Sequence, residues 1–248
     1  MSALDEIERH VAAFEASPIQ RRLIQAAGEI ATDTVDETWY LHTALCQAYL
    51  PASRPPPGVR MWERRNGDVT FCLEAGSAYS PDGRTFTPLP LPYGAKARLA
   101  LIGLTSEAVR NTSPEIDMGR SMTAFLAELL QRSPAGRDIR QFRQQLAALI
   151  VATMRIGWQR KDGTPVQIST PIATLVEGLD PAAWAGKETR KGRWPWPRLR
   201  LSDPFFGALM EHSVPLDPRA LPHAPRAFAP GAGCLLLACA ASAPHQSS

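Results

Sequence analysis

Ile7, Val11 and Phe14 recur at spacings of four and three, the period of a helix face. Ser17-Pro18 interrupts that run and restarts it, with Ser17 as a cap and Pro18 at the first helical position. A second helix-like run passes through Trp39, Leu41, Leu45 and Tyr49 and stops at Pro51. Residues 1–58 therefore predict an N-terminal helical region, closed by the stiff connector Pro55-Pro56-Pro57-Gly58. Alternation then replaces the helical period. Asn66-Gly67 lies between the apolar runs at 59–62 and 69–73, and Asp82-Gly83 precedes Arg84-Thr85-Phe86. Both dipeptides accept the positive φ of tight hairpins, so residues 59–93 predict a small antiparallel sheet. Its last strand meets Pro88, Pro90 and Pro92, which lack an N–H to donate and confine it to an edge or an irregular path.

From Gly94 the pattern turns helical again. Leu99, Leu101, Ile102, Leu104 and Val109 cover most faces of a helix over 95–110, as suits an element central to its domain. Ser113-Pro114 ends it, and Glu115-Ile116-Asp117-Met118-Gly119 alternates like a very short strand. Ser121 is placed to cap a helix carrying Met122, Phe125, Leu126, Leu129 and Leu130. After the turn Ser133-Pro134-Ala135-Gly136, a third helix buries Ile139, Phe142, Leu146, Leu149 and Ile150 and leaves Arg137, Arg140, Gln141 and Gln144 on the opposite face. Met154, Ile156 and Trp158 then alternate with polar residues, Lys161-Asp162-Gly163 turns the chain, and Val166 and Ile168 alternate in a return strand. Helix, short strand, helix, turn, helix and hairpin is the order of a winged-helix module over 94–180, a helix-turn-helix variant within an α+β fold.

Charge sharpens that expectation. The chain has 248 residues and a net charge of +3. Residues 1–50 carry −5 and residues 137–200 carry +7, an excess that attracts a polyanion whatever the modest total. Arginine hydrogen-bonds guanine bidentately and glutamine does the same with adenine, each good pair contributing about 1–3 kcal/mol of discrimination. Arg137, Arg140, Gln141 and Gln144 are therefore candidates for base contact from the first turns of the third helix. Arg143, toward the flank, either touches phosphate or snorkels over the core edge, and Arg160 and Lys161 at the hairpin tip are phosphate candidates. Good helix formers on a solvated face remain the plain alternative for the helix residues. Residues 181–219 predict a basic loop followed by a strand and a helix. In that loop Lys187, Arg190, Lys191 and Arg193 lead into Trp194-Pro195-Trp196-Pro197, where the rings either stack on bases or pack the loop onto the core.

Other chemistry is sparse. The sequence has no GxxxxGK, GxGxxG, HExxH or GxSxG, and His10, His42, His212, His223 and His245 are scattered, so neither an enzyme nor a bound cofactor is expected. Cys46, Cys72, Cys234 and Cys239 form no CxxC pair or zinc spacing and read as unpaired thiols, with no metal site expected. No apolar run approaches the roughly 20 residues of a membrane helix. The acidic start Met1–His10 lacks the pattern of a secretory signal, so a cytoplasmic location, associated with nucleoid or plasmid, is expected.

The stretch from Leu91 to Arg110, beginning Leu-Pro-Tyr-Gly-Ala-Lys-Ala-Arg, and Ser113-Pro-Glu-Ile-Asp-Met-Gly-Arg-Ser-Met-Thr-Ala-Phe125 resemble the core of RepA-type plasmid replication initiators. Gly136-Arg-Asp-Ile-Arg-Gln-Phe-Arg-Gln-Gln-Leu146 and the segment Phe205–Leu221 continue the match, which spans roughly residues 35 to 221. The resemblance implies a non-enzymatic protein that binds repeated sites in double-stranded origin DNA and helps recruit host replication factors, among them the host initiator and replicative helicase, with self-association possible in such proteins. It departs at residues 220–248. Family members continue into an amphipathic helix of Leu-Asp-Val-Tyr-x-Trp-Leu-Ala character, whereas Pro222, Pro225 and Pro230 interrupt this tail. Synonymous codons permitted for Arg226–Gln246, read one base on, encode Leu-Asp-Val-Tyr-Ser-Trp-Leu-Ala, which suggests a single-base shift between about Asp217 and Arg226. The tail as it stands predicts disorder or ill-fitting packing. Two further readings stay open: a winged-helix transcriptional autoregulator, and a protein-interaction module or inactive frameshifted remnant.

Overall fold

A computed structural model describes residues 38–42, 45, 50–66, 68–80, 84–116, 122–130, 132–177, 179 and 198–216. The expected helices over 7–14 and after Ser17, the cap Ser121, the basic loop with its tryptophans, and the tail from 220 lie outside them.

Helix α1, Gly94–Asn111, occupies the centre. Its leucines and Ile102 point in several directions, and Leu99, Leu101, Ile102 and Leu104 are all buried. The helix stops where Thr112 turns left-handed at φ 49°; there its N–H reaches the Val109 carbonyl and that of Ser113 reaches Ala108, satisfying the last turn. Helix α2, Met122–Leu130, and helix α3, Gly136–Ile150, complete the trio. Gly103 lets α1 and α2 meet, because a Cβ there would stand 2.5 Å from the Phe125 ring.

The winged-helix order is present. α1 is followed by β6, Glu115–Ile116, then α2 and α3, then the hairpin β7, Thr153–Gln159, and β8, Pro165–Pro171. That hairpin is not alone. β2, Met61–Asn66, and β3, Val69–Glu74, pair antiparallel, and β3 pairs with β7, so one sheet runs β2-β3-β7-β8. The expected small sheet of residues 59–93 is thus two: β4, Ser77–Ser80, and β5, Thr85–Pro88, form a separate two-stranded ribbon. The reason is packing. Phe71 and Leu73 alternate inward and are buried in the main core, and β3, held there, pairs its backbone groups with β2 on one side and β7 on the other. The ribbon instead lays Ala78 and the adjoining Leu89 against Ala147 of α3.

A second correction concerns Trp39–Tyr49. Trp39–His42 is not helical but strand β1, paired antiparallel with β11, Ser213–Leu216; Leu45, farther on, is helical. Trp39 and Leu41 are two residues apart and both buried, which is the strand period. Helix α1 receives this strand through polar groups. Ser106 Oγ accepts the Tyr40 N–H at 2.7 Å, the Thr105 hydroxyl donates to the Tyr40 carbonyl at 2.5 Å, and the Arg110 guanidinium lies 4.7 Å from the centre of the Trp39 ring. Beside it, helix α4, Asp203–His212, is capped by Ser202, whose Oγ accepts from the Phe205 N–H. A fourth sheet orders β6, β10 (Arg198–Leu201) and β9 (Ala173–Glu177), so β6 pairs with β10 rather than with the wing.

Candidate nucleic-acid interface

Helix α3 divides along its length. Phe142 and every residue from Gln145 to Ile150 are buried, while Arg137 and Arg140 are exposed and Gln141, Arg143 and Gln144 half-buried. Arg137, Arg140, Gln141 and Gln144 stand at positions i, i+3, i+4 and i+7, a single stripe. Only the first half of the helix is open to a partner, and that half carries the stripe.

A single carboxylate, Asp138, holds this half in place. The residue before the helix is Ala135, with an extended backbone and no side chain able to cap. Asp138, three positions on, reaches back instead and accepts the Ala135 N–H at 3.2 Å. The same carboxylate binds Lys96 of α1 at 2.8 Å and Arg132 of the α2–α3 turn at 2.9 Å. Hydrogen bonding by Lys96 in the first place, against a desolvation cost that exceeds either remaining hydrogen bond, and then by Arg132 and the Ala135 N–H, lowers the Asp138 pKa to about 2. An anion at a helix N-terminus also meets the positive end of the dipole. Asp138 therefore ties three elements of the helix-turn-helix together. Farther along, the Gln145 side-chain oxygen accepts the Tyr93 N–H at 2.7 Å, anchoring the buried half of α3 to the entrance of α1.

The wing is shaped by its turn. The Arg160 N–H donates to the Thr164 carbonyl at 2.9 Å, the Gly163 N–H to the Arg160 carbonyl at 2.9 Å, and Gly163 takes φ 88°, which favours glycine. Asp162 accepts the Thr164 N–H at 2.9 Å; that bond lowers its pKa. The acid is thus engaged by the turn, and Arg160 and Lys161 stand exposed beside it. Arg155, by contrast, pairs with Glu74 at 2.5 Å across the β3–β7 register. Of the expected residues, the helix stripe and the wing cations stand on two elements joined only by Val151 and Ala152. Lys187, Arg190, Lys191 and Arg193 fall outside the described residues.

Sequence comparison decides what kind of protein carries this arrangement. The profile of the family described as plasmid encoded RepA protein matches residues 91–229, more than half of the chain. The chain belongs to this RepA family. The matched region contains the whole helix-turn-helix and wing, and it ends within the proline-rich tail. No curated protein matches the RepA-family chain by sequence. Among solved structures, a selenomethionine derivative of RctB domains 2 and 3 is similar at 10% identity and a TM-score of 0.42, over 68% of this chain and 60% of that one. A second structure of RctB domains 2 and 3 gives 10% identity and a TM-score of 0.39, over 65% and 57%. The RepA-family chain thus spans about 60% of the length of those RctB fragments. Among the described residues no helix is long and apolar enough to cross a membrane.

Proposed function

We propose that this RepA-family chain binds repeated sites in plasmid origin DNA and promotes recruitment of host replication proteins, the host initiator and replicative helicase among them. The observation that carries the reading is the stripe Arg137, Arg140, Gln141 and Gln144, its arginines exposed and its glutamines half-buried, which ends where the continuously buried part of the helix begins at Gln145. In a helix-turn-helix the first half of this helix enters the major groove. Arginine and glutamine there hydrogen-bond base edges, while Arg143 on the flank and Arg160 and Lys161 on the wing hold phosphates. The basic segment with Lys187, Arg190, Lys191 and Arg193 adds further backbone attraction. Self-association on repeated sites belongs to the same proposal.

The test is a fluorescence-anisotropy titration against duplex DNA flanking the gene and against a scrambled duplex, at several salt concentrations. A steep salt dependence on both, with tighter binding to the flanking DNA, is the expected result. Equal affinity for the two would overturn sequence-specific binding. Origin melting then separates initiation from autoregulation, since a repressor binds its site without opening it.

A further inference from the structure

The sheet β2-β3-β7-β8 has an outer face on which side chains alternate with those of the core. Register places Arg65 opposite Thr70, Thr70 opposite Gly157, and Gly157 opposite Gln167, one row across all four strands. Gly157 leaves a gap in the middle of that row. A Cβ there would meet nothing nearer than the Val166 carbonyl oxygen at 3.8 Å. The result is a hollow of about 700 Å³ at the turn end of the sheet, with Arg65, Gln159, Arg160, Lys161 and Gln167 among its walls. Three cations and one carboxylate, Asp68, line it, which leaves an excess of two positive charges.

We propose that this hollow seats a stretch of the sugar-phosphate backbone of DNA, with Arg65 adding the β2–β3 hairpin to the nucleic-acid interface. The proposal rests on the reading that the chain binds DNA, and it extends the contact beyond the helix-turn-helix and its wing. The floor lacks a side chain at Gly157, so a backbone can approach closely. Guanidinium groups at the rim offer forked donors to phosphate oxygens. The Thr70 hydroxyl and the Gln167 amide, on the same row, offer neutral donors to phosphate or sugar oxygens. Trp158 alternates to the other side of the sheet, opposite Val69 and Val166, and reaches the hollow only at its border together with Val166; the row at the floor presents hydrogen-bond donors and no ring. The chemistry suits backbone contact without sequence reading.

The experiment titrates wild type, Gly157→Leu and Arg65→Ala against the flanking and scrambled duplexes across a range of salt, after circular dichroism has established that each variant folds. Leucine at 157 occupies the gap without forcing a left-handed backbone. Gly157→Leu is expected to weaken both duplexes by the same factor, about tenfold, and Arg65→Ala to reduce the slope of log affinity against log salt by about one. Wild-type affinity and slope in the folded variants would overturn the proposal; if Gly157→Leu does not fold, the Arg65→Ala slope alone decides. Should wild type bind both duplexes equally, the sequence-reading proposal fails while the hollow stands or falls on the same slope. No DNA binding by wild type overturns both.

Discussion

Helices α1 and α3 have similar lengths, 18 and 15 residues, and opposite relations to solvent. α1 is buried on most sides, and even Thr105, Ser106 and Arg98 are enclosed; their polar atoms hold neighbouring backbone, as Arg98 does the Leu50 carbonyl at 3.0 Å. α3 is buried only from Gln145 onward and along one stripe before it. The first helix spends its surface on packing, and the second keeps half of its surface for a partner. A functional face on a helix is therefore recognised by where burial stops along the axis as well as by which side is polar.

That contrast breaks most visibly if a large side chain is removed from α1. Leu104→Ala, at a position with no exposure, is expected to lower unfolding free energy by about 2–5 kcal/mol in urea titration. A loss below about 1 kcal/mol would mean that α1 is not the packing centre. Asp138→Asn follows, because it loosens the open half of α3 without emptying the core. The expected cost at neutral pH is about 1 kcal/mol, since the carboxylate is partly exposed and solvent screens its partners. The sign of its pH dependence is fixed by the lowered pKa. The carboxylate's contribution is complete above its ordinary value of 3.8 and is lost as pH falls through about 2, the behaviour of a group that binds protons more readily unfolded. Wild type and Asp138→Asn should therefore converge in stability between about pH 4 and pH 2; a constant gap over that window would remove Asp138 from the account. The smallest effect is expected on the wing. Lys161→Ala should leave stability unchanged within about 0.5 kcal/mol and weaken flanking and scrambled DNA by the same few-fold. A larger loss on the flanking duplex would instead assign Lys161 to base contact.

Much of this was legible where the determinants are local. The helix over 95–110 is Gly94–Asn111, the third helix runs Gly136–Ile150, and the wing turns at Lys161-Asp162-Gly163, because periodicity and turn chemistry act over a few residues. The stripe on α3 was visible for the same reason. Long-range pairing was not. β1 is a strand because Ser213–Leu216 lies beside it, far along the chain, and four residues with two apolar positions do not announce that partner. β3 likewise joins β7 through Phe71 and Leu73, which a hairpin signal cannot foretell. Asp138 was overlooked because Lys96 and Arg132 reach it from other elements, and the hollow because Gly157 matters only beside Arg65 and Gln167. The one sequence signal for Asp138 was an acid at the third position of a helix whose preceding residue cannot cap.

The central claim is that the first half of α3 reads sequence. Arg140→Ala, measured by anisotropy on the flanking and scrambled duplexes at one salt concentration, tests it most directly. The account predicts unchanged folding, little change on the scrambled duplex beyond a small electrostatic loss, and a further loss of about 1–3 kcal/mol on the flanking duplex. Equal losses on both duplexes would contradict it and make Arg140 a phosphate contact.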